Sequence, residues 1–211
     1  DKINKLVSAS NQIYLIKVYQ IYRKSIKSKV IKVNSIKIAE GAKIIENTQR
    51  DLNIALINEL SIIFKKLNIN FFDILSAAST KWNFLPFEPG LVGGHCIGVD
   101  PYYLAFKSKS IGYEPKILLA GRKLNDSMSY YLSKLILKLL NKFNNPKILI
   151  MGLSFKENVP DIRNSKSFDL INNLKKQKVK VDCYDNMVNH KDVYQQYKIR
   201  PIKNLKNNNY N

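Results

Sequence analysis

The sequence predicts a mainly α-helical domain followed by an incomplete α/β domain. Helical patterns run from about residue 36 to 67, without an interrupting proline, and from about 115 to 143. After Pro146 come a short apolar run that predicts a buried strand (KILIMGLSF), a helical pattern (SFDLINNLKKQ) and a second predicted strand (VKVDCYD). Strand, helix and strand in that order are typical of a parallel sheet. We therefore expect domain boundaries that give segments 1–35, 36–144 and 145–211.

Shorter elements complete the prediction. Residues 1–35 indicate a helix and then a short strand, VIKV at 30–33, which are too small to form a domain. Ser35 is expected to cap the long helix, and a second helix fits 71–79. Segment 80–101 is rich in Gly and Pro, which predicts an ordered loop. The start at Asp1 and the polar end NLKNNNYN suggest a fragment.

Composition narrows the class of protein. The chain has 211 residues, 45% of them hydrophobic, and a formal net charge of +19. This charge indicates either an anionic partner or a compositional bias toward lysine. Scattered lysines and only five arginines favour the bias, so we expect no nucleic-acid partner. No apolar run reaches the ~18 residues that a membrane span needs.

Cysteine usage indicates a reducing compartment, and the few cysteines and histidines argue against a bound metal. Cys96 and Cys183 lie far apart in the sequence, so a disulfide scaffold is not expected and a cytoplasmic location fits better. The two histidines and the lack of a CxxC pair argue against a structural zinc site, and no metal is expected.

The stretch PGLVGGHCIGVDPYYL, at residues 89–104, is the first candidate site. Gly93 and Gly94 precede Cys96 and would let a ligand approach the backbone. Asp100 follows four residues later and could act as a base or orient water. The alternative is structural, with a buried thiol and an aspartate that forms a turn before Pro101.

Two further sets of residues offer hydrogen-bond donors. Lys43 and Asn47 share a helix face at i,i+4 spacing and could stabilise an oxyanion, or belong to an ordinary solvated face. In GLSFKENVPDIRNS, Lys156 and Arg163 follow a predicted strand, which suits a phosphate; a charged surface loop is the alternative.

These motifs resemble one family. PGLVGGHCIGVDPYYL is similar to the active-site loop of the UDP-glucose/GDP-mannose dehydrogenase family. AEGAKIIENTQRDLNIALINEL resembles its central helix, and GLSFKENVPDIRNS resembles the opening of its UDP-binding domain. TKWNFLPFEPGLVGGHCIGVDPYYL and AGRKLNDSM are most like the branch that oxidises UDP-N-acetylhexosamines. The resemblance implies a mainly α central domain whose long helix forms the dimer core, followed by a truncated Rossmann-like α/β UDP-binding domain.

The resemblance also implies a mechanism and a set of site residues. Cys96 would attack an aldehyde at carbon 6 of a UDP-sugar, and two NAD⁺ would accept the hydrides. Lys43 and Asn47 would contact the substrate oxygen as it becomes negatively charged, and Asp100 would assist proton transfer or orient water. For binding, the family implies the substrate contacts Gly93, Lys156 and Leu85, and the NAD pyrophosphate contact Arg163.

The sequence departs from the family in places. Val99 occupies a position where UDP-glucose dehydrogenases have a lysine near NAD, and no GxGxxG occurs in the 211 residues. We therefore expect this chain to be inactive alone, as part of a cytoplasmic homodimeric enzyme. A non-catalytic dimerisation module is the alternative, and a basic nucleic-acid binder is the least favoured one.

Overall fold

In a computed structural model of the chain, residues 3–205 and 210–211 are described. They belong to two compact units, Asp1–Gln49 and Arg50–Asn211. The described part is mostly helical and contains two small parallel sheets.

The first unit opens with a strand–helix–strand arrangement. Strand β1 is Lys5–Val7, helix α1 is Gln12–Ser25 and strand β2 is Val30–Lys32. The two strands are parallel, with Lys5 paired to Val30. The predicted helix and the strand near residue 30 are confirmed. Strand β1 was not predicted, because Val7 is its one β-branched residue, whereas VIKV at 30–33 is rich in β-branched residues.

Helices dominate the middle of the chain. The predicted long helix is confirmed as α2, and the Ser35 hydroxyl caps it by accepting the backbone N–H of Ile38 at 3.2 Å. The bounds are α2 Ile36–Lys66, α3 Phe71–Ala78, α4 Asp100–Ser110 and α5 Lys116–Leu140. No helix of the described residues is long and apolar enough to cross a bilayer.

Helix α4 corrects the prediction of an irregular loop through residue 101. The loop ends at Val99, and Asp100 is the first helical residue rather than part of an isolated turn. Pro101 lies in the first turn of α4, where its missing N–H costs no helical hydrogen bond. Proline therefore starts a helix here.

The second sheet belongs to an α/β segment, which we define as residues 147–197. It consists of β3 Lys147–Met151, α6 Lys166–Lys176, β4 Lys180–Tyr184 and α7 His190–Tyr197. The two strands are parallel and in register from Lys147↔Lys180 to Met151↔Tyr184, as the sequence predicts. One core cluster contains Leu153, Phe168, Ile171, Cys183 and Val193 among its members. Burial raises the pKa of Cys183 to about 11, so this thiol acts as a small apolar group.

The end of α5 packs into the same segment. Leu140 shares a second core cluster with Ile148 of β3 and Leu170 of α6. On α5, Leu132, Ile136 and Leu137 are partly buried against it. Helix α5 therefore contributes apolar side chains to the core of the α/β segment.

Candidate active site

The cysteine loop, residues 89–99, ends in a turn that leads directly into α4. The carbonyl of Cys96 accepts the N–H groups of Val99 at 3.0 Å and of Asp100 at 2.8 Å. Cys96 itself is partly exposed, whereas Cys183 is buried. The loop thus presents one accessible thiol at the N-terminal end of a helix.

The glycines of the loop are required by contacts with the protein itself. A Cβ on Gly93 would lie 2.5 Å from the carbonyl oxygen of Asn164, and one on Gly94 would lie 2.7 Å from Cδ2 of Phe155. Gly94 also has a φ of +85°, which disfavours other residues. Two hydrogen bonds join the cysteine loop to Asn164, which lies just before α6. The Gly94 N–H donates to the Asn164 backbone carbonyl at 3.2 Å, and the Asn164 side-chain amide donates to the Gly94 carbonyl at 3.0 Å. The cysteine loop is therefore docked against the segment just before α6.

An aromatic ring and an ion pair lie beside this junction. The ring of His95 meets the ring of Phe155 edge to face, with centroids 5.9 Å apart. The Oδ2 atom of Asp161 lies 2.5 Å from Nη2 of Arg163 and 3.8 Å from Nδ1 of His95. Hydrogen bonds from Arg163 lower the pKa of Asp161 to about 2. The same bonds raise the pKa of Arg163, and the nearby Cys96 adds to that rise.

A cavity of about 720 Å³ lies at the carboxyl ends of β3 and β4, and we call it the strand-end cavity. In open parallel sheets, ligands bind outside the carboxyl ends of the strands. Its lining includes apolar, hydroxyl and charged side chains, among them Met151, Ser154, Phe155, Lys156, Ser167 and Tyr184. Its volume and mixed lining suit a nucleotide.

Asp185 holds the two loops that line this cavity. One carboxylate oxygen accepts N–H groups of Leu153 at 2.8 Å and Ser154 at 3.3 Å, and the other accepts N–H groups of Met187 at 2.8 Å and Val188 at 3.3 Å. Although burial opposes the change, these four donors lower the pKa of Asp185. The carboxylate therefore fixes the loop after β3 relative to the loop after β4.

A buried polar network supports the start of the cysteine loop. Asn58 of α2 exchanges two hydrogen bonds with the backbone of Gly90, at 3.0 and 2.8 Å. The Asn58 amide also donates to Asn125 of α5 at 2.9 Å, and the Asn125 amide donates to Asp51 at 2.7 Å. Arg122 completes the network with a 2.6 Å contact to Asp51, which is fully buried. These contacts fix Gly90 between two helices.

The other end of the loop is tied to the same region. Arg122 also contacts Asp126 at 2.6 Å, and the hydroxyl of Tyr102 on α4 donates to Asp126 at 2.6 Å. Lys166, at the start of α6, reaches Asp126 at 3.2 Å and Asp169 at 3.2 Å. Helices α4, α5 and α6 therefore meet at one charged cluster.

The predicted site residues of the second unit fall in these places. Cys96 and Gly93 lie in the docked loop, Asp100 begins α4, Arg163 lies beside the loop, and Lys156 lines the strand-end cavity. Leu85 is 52% exposed and its carbonyl accepts the N–H of Phe87 at 2.8 Å.

Lys43 and Asn47 belong to the first unit, on the N-terminal part of α2. Lys43 is exposed and pairs with Glu46 at 3.1 Å, whereas Asn47 is buried. Their contribution to a site at Cys96 stays a prediction.

Sequence reasoning did not single out His95, Asp185 or the network around Arg122. The spacing of Arg122 and Asp126 at i,i+4 was visible, but the partner of Arg122 lies 71 residues earlier in the chain. Asp185 could have been found from its position as the last residue of the predicted strand VKVDCYD.

The chain therefore combines a helical segment, a docked cysteine loop and a parallel βαβ segment with a cavity at its strand ends. Two family models match it: the central domain of the UDP-glucose/GDP-mannose dehydrogenase family over residues 37–127, and its UDP-binding domain over residues 149–210. The chain belongs to the UDP-glucose/GDP-mannose dehydrogenase family.

Individual relatives agree with the family models. The chain is 50% identical over 212 residues to the UDP-N-acetyl-D-glucosamine 6-dehydrogenase of Salmonella typhi, covering 99% of this chain and 50% of the relative. It is 51% identical over 204 residues to the Pseudomonas aeruginosa protein of the same name, covering 95% and 48%. The chain thus spans about half the length of the curated relatives it matches.

Solved structures support the fold. The UDP-N-acetyl-mannosamine dehydrogenase of Staphylococcus aureus matches with a TM-score of 0.78 at 32% identity, over 89% of this chain and 44% of that one. A UDP-glucose dehydrogenase of Pyrobaculum islandicum matches with a TM-score of 0.83 at 21% identity, over 95% and 47%. The predicted combination of a mainly helical segment and a partial α/β segment is confirmed.

Proposed function

We propose that this chain is the cysteine-bearing and UDP-binding part of an NAD-dependent UDP-N-acetylhexosamine 6-dehydrogenase of surface polysaccharide synthesis. The observation that carries the proposal is the docking of the cysteine loop on the α/β segment, through the two hydrogen bonds between Gly94 and Asn164. An accessible thiol and a nucleotide-sized cavity thereby belong to one compact unit. The similarity to the Salmonella typhi relative supports a UDP-N-acetylhexosamine as the substrate.

The strand-end cavity is the proposed place for UDP. Lys156 supplies a positive charge for the diphosphate, and the hydroxyls of Ser154 and Ser167 are further hydrogen-bonding groups in its lining. Gly93 would contact the sugar through its backbone, and Leu85 would contribute an apolar contact. The nucleotide would then anchor the substrate while carbon 6 reaches Cys96.

Arg163 is the residue of this unit that fits NAD. Its guanidinium is 60% exposed, is oriented by Asp161 and lies near Cys96, which suits a pyrophosphate oxygen close to the reacting carbon. NAD⁺ would supply the hydride acceptor in both oxidation steps. The sequence contains no GxGxxG, so we propose that the 211 residues do not reduce NAD⁺ alone.

Cys96 is the proposed nucleophile. The carbon 6 alcohol first loses a hydride and a proton to become an aldehyde. The Cys96 thiolate adds to its carbonyl carbon while the carbonyl oxygen takes up a proton, which forms a thiohemiacetal. Loss of a second hydride and the hydroxyl proton gives a thioester. Water then breaks the carbon–sulfur bond, which releases the carboxylate and returns the thiolate. Overall, one alcohol, one water and two NAD⁺ give one carboxylate, two NADH and three protons.

Three side chains would assist this chemistry. Lys43 and Asn47 would stabilise the negative charge that develops on the substrate oxygen. Asp100 would accept a proton or orient the hydrolytic water. The domain limits 1–35, 36–144 and 145–211, a homodimer through the central helices and a cytoplasmic location are further parts of the proposal.

Calorimetric titration of the chain with UDP tests the nucleotide site. We expect saturable binding with one UDP per chain, and a loss of affinity of about tenfold or more in Lys156→Ala, since a charged hydrogen bond contributes about 1.5–3 kcal/mol. Lys178→Ala is the matched control, because Lys178 follows α6 and does not line the cavity. Absence of binding, or an equal loss in both variants, would contradict the site.

A chimera tests the chemistry. These 211 residues would replace the matching half of the Salmonella typhi relative, and NADH would be measured with UDP-N-acetylglucosamine. We expect two NADH per sugar, and no carboxylate from Cys96→Ala; Cys183→Ala is the matched cysteine control. A chimera that is folded and dimeric but inactive would contradict the proposed activity.

A further inference from the structure

The ring of Phe155 lies between the strand-end cavity and the cysteine loop. It is part of the lining of the cavity. It also occupies the space above Gly94, where a Cβ would come within 2.7 Å of Cδ2 and 2.9 Å of Cε2. The same ring contacts His95 edge to face. Gly94 and His95 are the two residues that precede Cys96.

The backbone around the ring is fixed, so the ring has a defined place. The N–H of Phe155 donates to the carbonyl of Asp161 at 3.1 Å, which closes the loop between β3 and α6. Asp185 holds the preceding residues Leu153 and Ser154 through their N–H groups. A shift of the ring would therefore come from its side-chain torsions, which packing on either side controls.

We propose that Phe155 is a positioning residue that couples occupation of the strand-end cavity by a uridine nucleotide to the position of Cys96. This inference rests on the proposed function, because it takes UDP as the occupant of the cavity. A nucleotide that packs against the cavity side of the ring limits its rotation. The ring then holds Gly94 and His95, and through them the backbone of Cys96.

The glycine at position 94 is consistent with this role. Its positive φ and the absence of a Cβ let the aromatic ring approach the main chain of the loop directly. A ring in contact with main-chain atoms transmits displacement to the next peptide more directly than one in contact with a flexible side chain. Movement of the ring would therefore reach Cys96 within two residues.

The rate at which iodoacetamide alkylates Cys96 in the 211-residue chain measures the coupling between the cavity and the cysteine loop. Cys183 is an internal control, because its buried thiol has a pKa of about 11 and stays protonated at pH 7.5. Mass spectrometry of the Cys96 peptide follows the reaction with and without saturating UDP. We expect UDP to slow alkylation by about fivefold, the lower end of common coupling strengths between two sites.

Phe155→Leu and Phe155→Met distinguish coupling from simple blockage by the nucleotide. Both variants keep an apolar side chain but lose the flat ring, so we expect alkylation with saturating UDP to slow by less than about twofold. If UDP merely covers the thiol, the full protection persists in both variants, and the inference is wrong. Phe72→Leu on α3 is the matched control, because Phe72 is exposed and lines a different cavity.

The outcomes separate this inference from the proposed function. UDP binding by calorimetry without any change in Cys96 alkylation overturns the coupling and leaves the nucleotide site intact. No UDP binding at all overturns the nucleotide site, and the coupling with it. Protection that is present in the wild type and in Phe72→Leu, but lost in a folded Phe155 variant, supports the coupling.

Discussion

Replacing Arg122 by leucine should destabilise the second unit strongly. The Arg122 side chain is 2% exposed and contacts the fully buried carboxylate of Asp51 at 2.6 Å. Asp126 is 33% exposed and keeps Lys166 and Tyr102 as partners, so the cost of the substitution is concentrated at Asp51. Removing one partner of a buried ion pair costs about 3–5 kcal/mol. In a chain of this size the midpoint of thermal unfolding would fall by roughly 6–20 °C.

The stability lost in Arg122→Leu should depend on pH. Burial raises the pKa of Asp51 although Arg122 and Asn125 oppose the change, and loss of Arg122 would raise it further. A carboxyl group whose pKa is raised in the folded state favours folding most when it is protonated. Its contribution is complete below its ordinary pKa of 3.8 and disappears as the pH rises through the folded-state pKa. The deficit of Arg122→Leu should therefore be larger at pH 7.5 than at pH 5.

Urea unfolding followed by circular dichroism at both pH values provides the measurement. Asp51→Asn combined with Arg122→Leu should recover much of the loss, because no buried charge remains. Lys109→Leu is the matched control, since its ion pair with Glu114 at 3.3 Å is exposed and should contribute about 0–1 kcal/mol. A loss below about 1 kcal/mol at pH 7.5 for Arg122→Leu, like that of an exposed ion pair, would refute the reasoning.

Three further predictions concern the cysteine loop and the cavity. Asp185→Asn should lower the free energy of unfolding by about 1.5–3 kcal/mol at pH 7, because charge-assisted hydrogen bonds are lost. Since the pKa of Asp185 is lowered on folding, this difference should shrink as the pH falls below about 4 in urea titrations. Gly94→Ala should cost at least about 1–3 kcal/mol, the usual cost of an unfavourable φ, because the new Cβ would also meet the ring of Phe155. Stability equal to wild type would contradict both the positive φ and this contact. Iodoacetamide at pH 8 should modify Cys96 alone in the folded chain, and both Cys96 and Cys183 in urea. The reason is that a pKa of about 11 leaves roughly 0.1% of Cys183 as thiolate in the folded chain. Two labels without urea would contradict the burial of Cys183.

Local patterns were sufficient to predict most of the regular elements. Helix α2 has helix-forming residues throughout and a serine at its start, and both signals are local. Strand β3 is a mainly apolar run, and β4 is a short segment in which polar residues separate apolar ones, as expected for strands. Helix α4 was missed because the glycines before it and Pro101 suggested a loop, whereas proline is also well suited to the first turn of a helix.

The contacts of the cysteine loop could not be predicted from the sequence. A cysteine after paired glycines suggested close approach by a ligand, yet the groups found beside Gly93 and Gly94 are Asn164 and Phe155. These partners come from about 60 to 70 residues later in the chain, and no local pattern reports such a distance. The same holds for Arg122 and Asp51, which are ordinary charged residues until the fold buries them together.

The packing of α5 has a consequence for shortened forms of this protein. A chain that starts at residue 145, the limit expected from sequence, would leave behind Leu140 and the partly buried Leu132, Ile136 and Leu137. Strand β3 and helix α6 would then present uncovered apolar side chains to water, which promotes self-association. Soluble expression of the α/β segment by itself should therefore require the C-terminal part of α5 as well, beginning before Leu132.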